Sequence, residues 1–332
     1  MRKLIWVIAL VPLAWCAWWF AAQTGLHSTV EAWFEERRAE GWQAELGALE
    51  GGGFPVALRA GLRDVALADP DTGVAVETAA LDIAAPAWWP GDVTVALEDG
   101  PILLASPLGR STLVMEDGVM ALNLHPGTAL ELEAMGWTAG AWHVRDGDAV
   151  QVSADSLTLT MTQRDGAAYA LVAEARAFAP GAAARAALRL SDSLPQAFDS
   201  LALRADVTFD RPWDRRALSA QRPQPRAIDL HLAEARWGDL RINVAADLVV
   251  DGAGVPEGTL ALQAENWPAM LDLAEAAGVL PAALRGQAEG VLGMLAGASG
   301  SRDTLDVELS LRGGAVYLGF LPLGPAPRLR LR

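Results

Sequence analysis

The sequence has few of the residues on which metal-dependent and nucleophilic catalysis rely. Its 332 residues include one cysteine, Cys16, and four histidines that stand singly. One thiol cannot form an intramolecular disulfide or a multi-thiolate zinc site, and no two histidines have zinc-enzyme spacing. The Gly-x-Ser-x-Gly motif of many serine hydrolases is also absent. We therefore expect no catalytic residues, no cofactor and no metal site, and we rank an exported hydrolase as the third functional hypothesis.

Basic residues are also scarce. The chain has 26 basic and 41 acidic residues, a net charge of −15, and Lys3 is its only lysine. A phosphate-binding loop of the Gly-x-x-x-x-Gly-Lys type is therefore absent. An acidic surface repels phosphate backbones, and no basic patch with interleaved aromatic residues is present. We expect no nucleic-acid partner.

Charge is missing from one long stretch near the N-terminus. Residues 4–22 are uncharged, which is about the length a helix needs to cross a hydrocarbon core of ~30 Å. Arg2 and Lys3 precede the stretch, so the positive-inside rule places the N-terminal tip in the cytoplasm and the rest of the chain outside. We predict a single-pass inner-membrane protein, with the tip and transmembrane helix in residues 1–22 and the bulk of the chain in the periplasm.

Four aromatic side chains stand towards the outer end of this stretch, where we expect them at the membrane interface: Trp15, Trp18, Trp19 and Phe20. A cleaved signal peptide is the main alternative to an anchor. Cleavage after Ala17 or Ala22 would place Trp15 or Phe20 at the −3 position, where signal peptidase requires a small residue. We therefore favour an uncleaved anchor.

The pattern of apolar residues changes soon after the predicted span. Residues 23–41 predict an amphipathic helix, and from Trp42 onward apolar residues alternate with polar ones in short runs separated by turn sequences. Such runs with few helices between them favour an antiparallel meander and exclude parallel α/β folds. Asn266 and Pro281 predict the starts of two helices, a helical hairpin at about 266–296. The sequence thus predicts a mainly β exported domain over residues 42–332.

Several short segments have a recognisable order and spacing. Gly53-Phe54-Pro55 precedes an alternating strand and Leu67-Ala68-Asp69-Pro70, while FDRPWDR (209–215) and LGFLPLGPAP (318–327) stand in the C-terminal half. Together these segments resemble the domain of unknown function 2125 family, which is mainly alphaproteobacterial. That family has no established activity, so the resemblance implies no catalytic residues. Its layout is similar to the AsmA-like envelope proteins, which implies an elongated, curved sheet whose apolar concave face accommodates lipid chains.

An apolar sheet face must be covered, because large exposed apolar patches promote association. The sheet either folds over itself into a closed core or leaves a groove for lipid, and the many inward alanines favour a groove. We expect this face to include nine residues: Leu58, Leu81, Ile83, Leu122, Leu130, Leu159, Leu230, Ile242 and Leu260. The favoured function is a non-enzymatic envelope protein that binds lipid or supports envelope homeostasis, with lipid or another envelope protein as partner. The alternative is a structural or interaction scaffold with a packed core and no lipid.

Overall fold

The computed structural model describes residues 2–98, 100–190, 194–218, 222–298, 301 and 303–331, and for residues 2–9 it describes the backbone alone. The fold is mainly β, with 52% strand, and the described strand pairings are antiparallel. The predicted antiparallel, β-rich class is therefore confirmed. Two compact units are present: residues up to 124 with 137–140 and 144–147 form the first, and residues 125–136, 141–143 and 148–332 form the second.

The first unit combines one long helix with the early strands. Its elements are α1 Arg2–Ala39, β1 Gln43–Gly52, β2 Ala57–Asp69, β3 Val74–Pro86, β4 Asp92–Leu97, β5 Ile102–Ser106, β6 Gly109–Met115 and β7 Val119–Leu124. Residues of β8 Leu132–Ala139 and β9 Trp142–Asp146 are divided between the two units. The strands β1, β2 and β3 pair in sequence order, as alternating runs joined by short turns require.

Helix α1 runs without interruption through both the predicted span and the predicted amphipathic segment. The side chains of residues 4–9, where the predicted span begins, lie outside the described residues. Among the residues that are described, no helix combines the length and hydropathy needed to cross a membrane. The transmembrane anchor therefore stays a prediction.

The second unit contains the remaining elements. They are β10 Ala149–Ala154, β11 Ser156–Asp165, β12 Ala168–Arg176, β13 Ala179–Pro180, α2 Ala182–Ala187, β14 Ser200–Phe209, a 3-10 turn Arg215–Leu218, β15 Pro225–Trp237, β16 Leu240–Val250, β17 Pro256–Glu265, α3 Trp267–Ala276, α4 Ala282–Ala298, β18 Thr304–Arg312, β19 Ala315–Leu318 and β20 Leu321–Pro325. Helices α3 and α4 are the hairpin that Asn266 and Pro281 indicated. Arg285 of α4 joins them through a 2.6 Å ion pair with Asp272 of α3.

Candidate functional site: two apolar sheet faces

Three of the predicted face residues lie together in the first unit. Ile83 of β3 is opposite Ala60 of β2, and Ala60 is two residues after Leu58. Leu81 is two residues before Ile83. Because opposing residues share a face and successive side chains alternate, Leu58, Leu81 and Ile83 point to the same side of the sheet.

Leu122 extends this face along the sheet. It lies opposite Val93 of β4. Val95, two residues further along β4, lies opposite Ile83. Leu122 therefore points to the same side as the three residues of β2 and β3.

Helix α1 covers much of this face. Phe34 is 3% exposed and packs in a buried cluster with Ala60 and Leu62. Nearer the N-terminus, Trp19 packs on Leu58, which is 2% exposed. This part of the first unit is therefore a closed core built from α1 and the sheet.

Polar side chains of α1 also bind the backbone of the sheet region. The indole nitrogens donate hydrogen bonds to carbonyl oxygens: Trp15 to Pro55 (3.0 Å), Trp18 to Ala87 (2.9 Å) and Trp19 to Ala57 (2.7 Å). Gln23 donates to the Arg59 carbonyl over 2.6 Å and accepts from the Arg59 amide over 3.2 Å. Such bonds contribute about 1 kcal/mol each, so the helix is held in one register against β2.

These bonds give the predicted interface aromatics a second role. Trp19 is buried at 6% exposure, whereas Trp18 is 49% and Phe20 63% exposed. The sequence does contain a signal for the contact with β2. Trp15, Trp19 and Gln23 recur at intervals of four residues, so they share one helix face.

The second unit has its own apolar face. Leu230 of β15 lies opposite Ala246 of β16, and Ala246 lies opposite Leu260 of β17. Ile242 is four residues before Ala246 on β16. The three predicted residues Leu230, Ile242 and Leu260 therefore point to the same side of this sheet.

Two segments cover the ends of this face. Trp267 of α3 is 6% exposed and packs with Ala264 and Leu305. Elsewhere, Ala326 and Leu329 from the C-terminal segment pack on a cluster that includes Leu248. Each cover is local. A row of residues that begins at Val307, which packs against the Trp267 cluster, has more exposure away from that end.

That row is a continuous line of apolar side chains across seven strands, from β11 to β18. Each member lies opposite the next in the strand register: Leu159, Ala173, Leu203, Ala233, Val244, Leu262 and Val307. We call it the apolar strip. All seven are half-buried or exposed, and Leu203 is 37% exposed. Six spacings of ~4.8 Å make the strip about 29 Å long.

The opposite side of this sheet is polar. A shallow depression of about 610 Å³ is lined by residues that include Asn243, Gln263 and Asp306. Arg241 and Glu234 form a 3.0 Å ion pair at this depression. The sheet of the second unit therefore presents one apolar and one charged face.

His231 lies on this polar face between two carboxylates. Its Nε2 lies 2.9 Å from Asp206 and its Nδ1 lies 3.4 Å from Asp229. The hydrogen bond with Asp206 raises the pKa of His231, and the charge of Asp229 acts in the same direction. His231 therefore gains charge more readily than a free histidine, on the side of the sheet away from the apolar strip.

Leu130 does not join either face. It lies in the connection between β7 and β8 with a φ of 51°, and it is 40% exposed. The alternation of Leu130 with Leu132 favours a strand through both residues, but β8 begins only at Leu132, so Leu130 lies outside the strand. Leu159, in contrast, is an end member of the apolar strip.

Chemical features of other kinds are sparse in the described part of the chain. Within it, no group of three or more His, Cys, Asp or Glu side chains is placed to hold a metal ion. Arg63, on the side of the first sheet away from α1, forms ion pairs with Glu50, Asp82 and Glu98 at 3.3, 3.3 and 2.7 Å. Arg63 offsets the charge of one of these three carboxylates, so the cluster stays acidic. The exposed apolar side chains of the second unit are the feature that most needs a functional explanation.

The sequence comparison agrees with the resemblance seen in the segments above. Residues 19–327 match a family described as an uncharacterized protein conserved in bacteria, DUF2125. The chain belongs to this family. No curated protein and no solved structure matches the chain. Membership of DUF2125 supplies no activity, and the AsmA-like comparison stays a prediction.

Proposed function

We propose that this DUF2125 protein is a non-enzymatic envelope protein, anchored in the inner membrane and facing the periplasm, that binds a lipid acyl chain along the apolar strip. The observation that supports the proposal is the continuous, half-exposed row from Leu159 to Val307. Exposed apolar surface of this kind marks sites that meet a partner or a lipid. The other side of the same strands is charged and suits contact with water, so the apolar strip is the side available to lipid.

The dimensions of the strip suit an acyl chain. One extended acyl chain spans one leaflet, which is half of the ~30 Å hydrocarbon core. The strip is about 29 Å long, so it is longer than such a chain. Ala173 and Ala233 alternate with larger neighbours such as Leu203, so small side chains leave space along the row. An extended apolar chain can therefore lie across the strands without displacing a packed core.

The proposed location depends on the sequence. Arg2 and Lys3 precede the uncharged residues 4–22, which favours a cytoplasmic tip and a periplasmic β-rich region. The AsmA-like layout, an elongated and curved sheet reaching from the inner membrane, belongs to the same proposal. An anchored protein would meet lipid directly at the membrane surface.

Site-specific photocrosslinking tests the proposal in membranes that contain the full chain and radiolabelled lipid. A benzophenone amino acid replaces Leu203 in the strip or, as the control, Val249. Val249 is 64% exposed and lies on the polar side of β16. We expect labelled lipid at position 203 and little at 249. Equal labelling at both positions, or none at 203, would contradict the acyl-chain site.

A second variant separates lipid binding from folding. Ile242 lies beside the strip and is 37% exposed, so Ile242→Asp places a hydrated charge next to the proposed lipid. We expect the lipid crosslink at position 203 to fall roughly ten-fold, a change of about 1.4 kcal/mol in binding, while the thermal midpoint stays close to wild type. Val249→Asp is the matched control on the other face of the same strand.

The competing hypothesis is a scaffold that binds another envelope protein through the same strip. Its support is the same exposed row, because protein partners also cover apolar surface. A crosslink from position 203 that yields a discrete protein adduct in place of labelled lipid would favour the scaffold.

A further inference from the structure

Exposed apolar side chains gather around α1 at one edge of the first unit. They come from α1 and from the loops that follow β1 and β3: Phe20 (63% exposed), Phe54 (53%), Val56 (59%) and Trp88 (65%). We call these four residues the apolar collar. The Phe20 and Phe54 rings stack at 6.3 Å, and the Trp18 indole bonds to the carbonyl of Ala87, next to Trp88.

The three segments that form the collar are uncharged. Residues 4–26, 51–58 and 83–91 contain no Asp, Glu, Lys or Arg, although such residues make up 20% of the chain. The fold brings these three segments together through the bonds of Trp15 and Trp18 to the loop carbonyls. An aromatic, charge-free surface has the composition of the interface between acyl chains and head groups.

Given the proposed anchor, the length of α1 sets how deep the first unit lies in the membrane. Trp15 already bonds to the loop at Pro55, so the uncharged helix ahead of the sheet contacts is residues 4–14. At 1.5 Å per residue this segment is only about 16 Å long, roughly half of a ~30 Å hydrocarbon core. A helix from residue 4 to residue 20 would be about 25 Å long, but residues 15–20 lie beside the two loops of the collar.

We propose that the apolar collar inserts into the interface of the outer leaflet of the inner membrane, so that the loops at Phe54 and Trp88 enter the bilayer beside α1. The inference depends on the proposed membrane anchor and deepens it. Residues 4–14 supply about half of the membrane thickness, and the remainder is the layer that α1 shares with the two loops. The first unit thus contacts the membrane through α1 and two loops, and it is not attached by α1 alone.

Depth-dependent fluorescence quenching tests this placement with the full chain in phosphatidylethanolamine and phosphatidylglycerol vesicles. Cys16→Ser gives a background without cysteine, and single cysteines at 56 and 88 are labelled with an environment-sensitive fluorophore. Position 11 reports on the anchor. Position 108 is the control, because Leu108 is 99% exposed in another loop of the same unit. Circular dichroism confirms that each labelled chain is folded.

The expected results distinguish the collar from the anchor. Lipids with a nitroxide near the carbonyl should quench positions 56 and 88 most, lipids with a deep nitroxide should quench position 11, and position 108 should stay unquenched. Quenching at 11 but not at 56 and 88 would overturn the collar and leave the anchor standing. No quenching at 11, with chains that do not float with vesicles, would overturn the anchor and with it the collar. Equal quenching at 56, 88 and 108 would show nonspecific adsorption and also overturn the collar.

Discussion

The apolar faces of the two units receive different covers. In the first unit, α1 places apolar and aromatic side chains on the sheet at helical intervals, and Leu58 is left 2% exposed. In the second unit, α3 with α4 and the C-terminal segment cover separate clusters, and Leu203 and Ile242 remain 37% exposed. Similar alternating strands therefore form a closed core or an open strip according to which other segment packs on them.

The same substitution on the two faces should show the largest contrast. Leu58→Asp buries a carboxylate without a partner against Trp19, so we expect a loss of about 3–5 kcal/mol in the free energy of unfolding. Ile242→Asp leaves the carboxylate accessible to water and should cost less than about 1 kcal/mol. Urea unfolding of the full chain, followed by circular dichroism, measures both values.

A closed first face and an open second face predict different losses of unfolding free energy for these two variants. Equal losses for the two variants would show that the second face is also a closed core, and the lipid proposal would then fail. A Leu58→Asp chain as stable as wild type would show that α1 does not seal the first face. Leu58→Ala serves as the size control, because it removes volume without adding charge.

A smaller effect is expected from the bonds that attach α1. Trp19→Phe keeps a large ring but removes the donor to the Ala57 carbonyl, which leaves a half-buried acceptor unpaired. We expect a loss of about 1–3 kcal/mol, and hydrogen exchange should increase in α1 and β2. Trp15→Phe is the matched control, since the bond of Trp15 to the Pro55 carbonyl is exposed and water can replace it. A Trp15→Phe loss as large as that of Trp19→Phe would contradict this ranking by burial.

Much of the fold follows from local patterns. Alternation with period two marks the strands, and Asn266 and Pro281 mark the helical hairpin, because these signals act over a few residues. Leu130 shows the limit of the pattern. Its leucine spacing with Leu132 fits a strand, but its φ of 51° places it in a loop.

The candidate site depends on information that is not local. Leu159 and Val307 belong to one strip only through the register of six successive strand pairings, and a one-residue shift would move a side chain to the other face. The cover supplied by α1 is equally non-local. Trp15 and Trp19 suit a membrane interface and a sheet contact alike, and only the positions of the Pro55 and Ala57 carbonyls distinguish the two.

The smallest expected effect is a pH dependence that belongs to the polar side of the second unit. The pKa of His231 is raised, chiefly by its hydrogen bond with Asp206, so the folded chain binds this proton more tightly than the unfolded chain. The stabilisation is fully present below the unfolded pKa of about 6.5 and is lost as pH rises through the higher folded pKa. As the pH rises above about 6.5, the temperature of the thermal midpoint should therefore decrease slightly, and His231→Gln should make this decrease smaller.

Because His231 lies opposite the apolar strip, lipid crosslinking at position 203 should not follow the same pH profile. A crosslink that titrates with His231 would show that the two faces are coupled, which would break the separation between a charged side and a lipid-binding side.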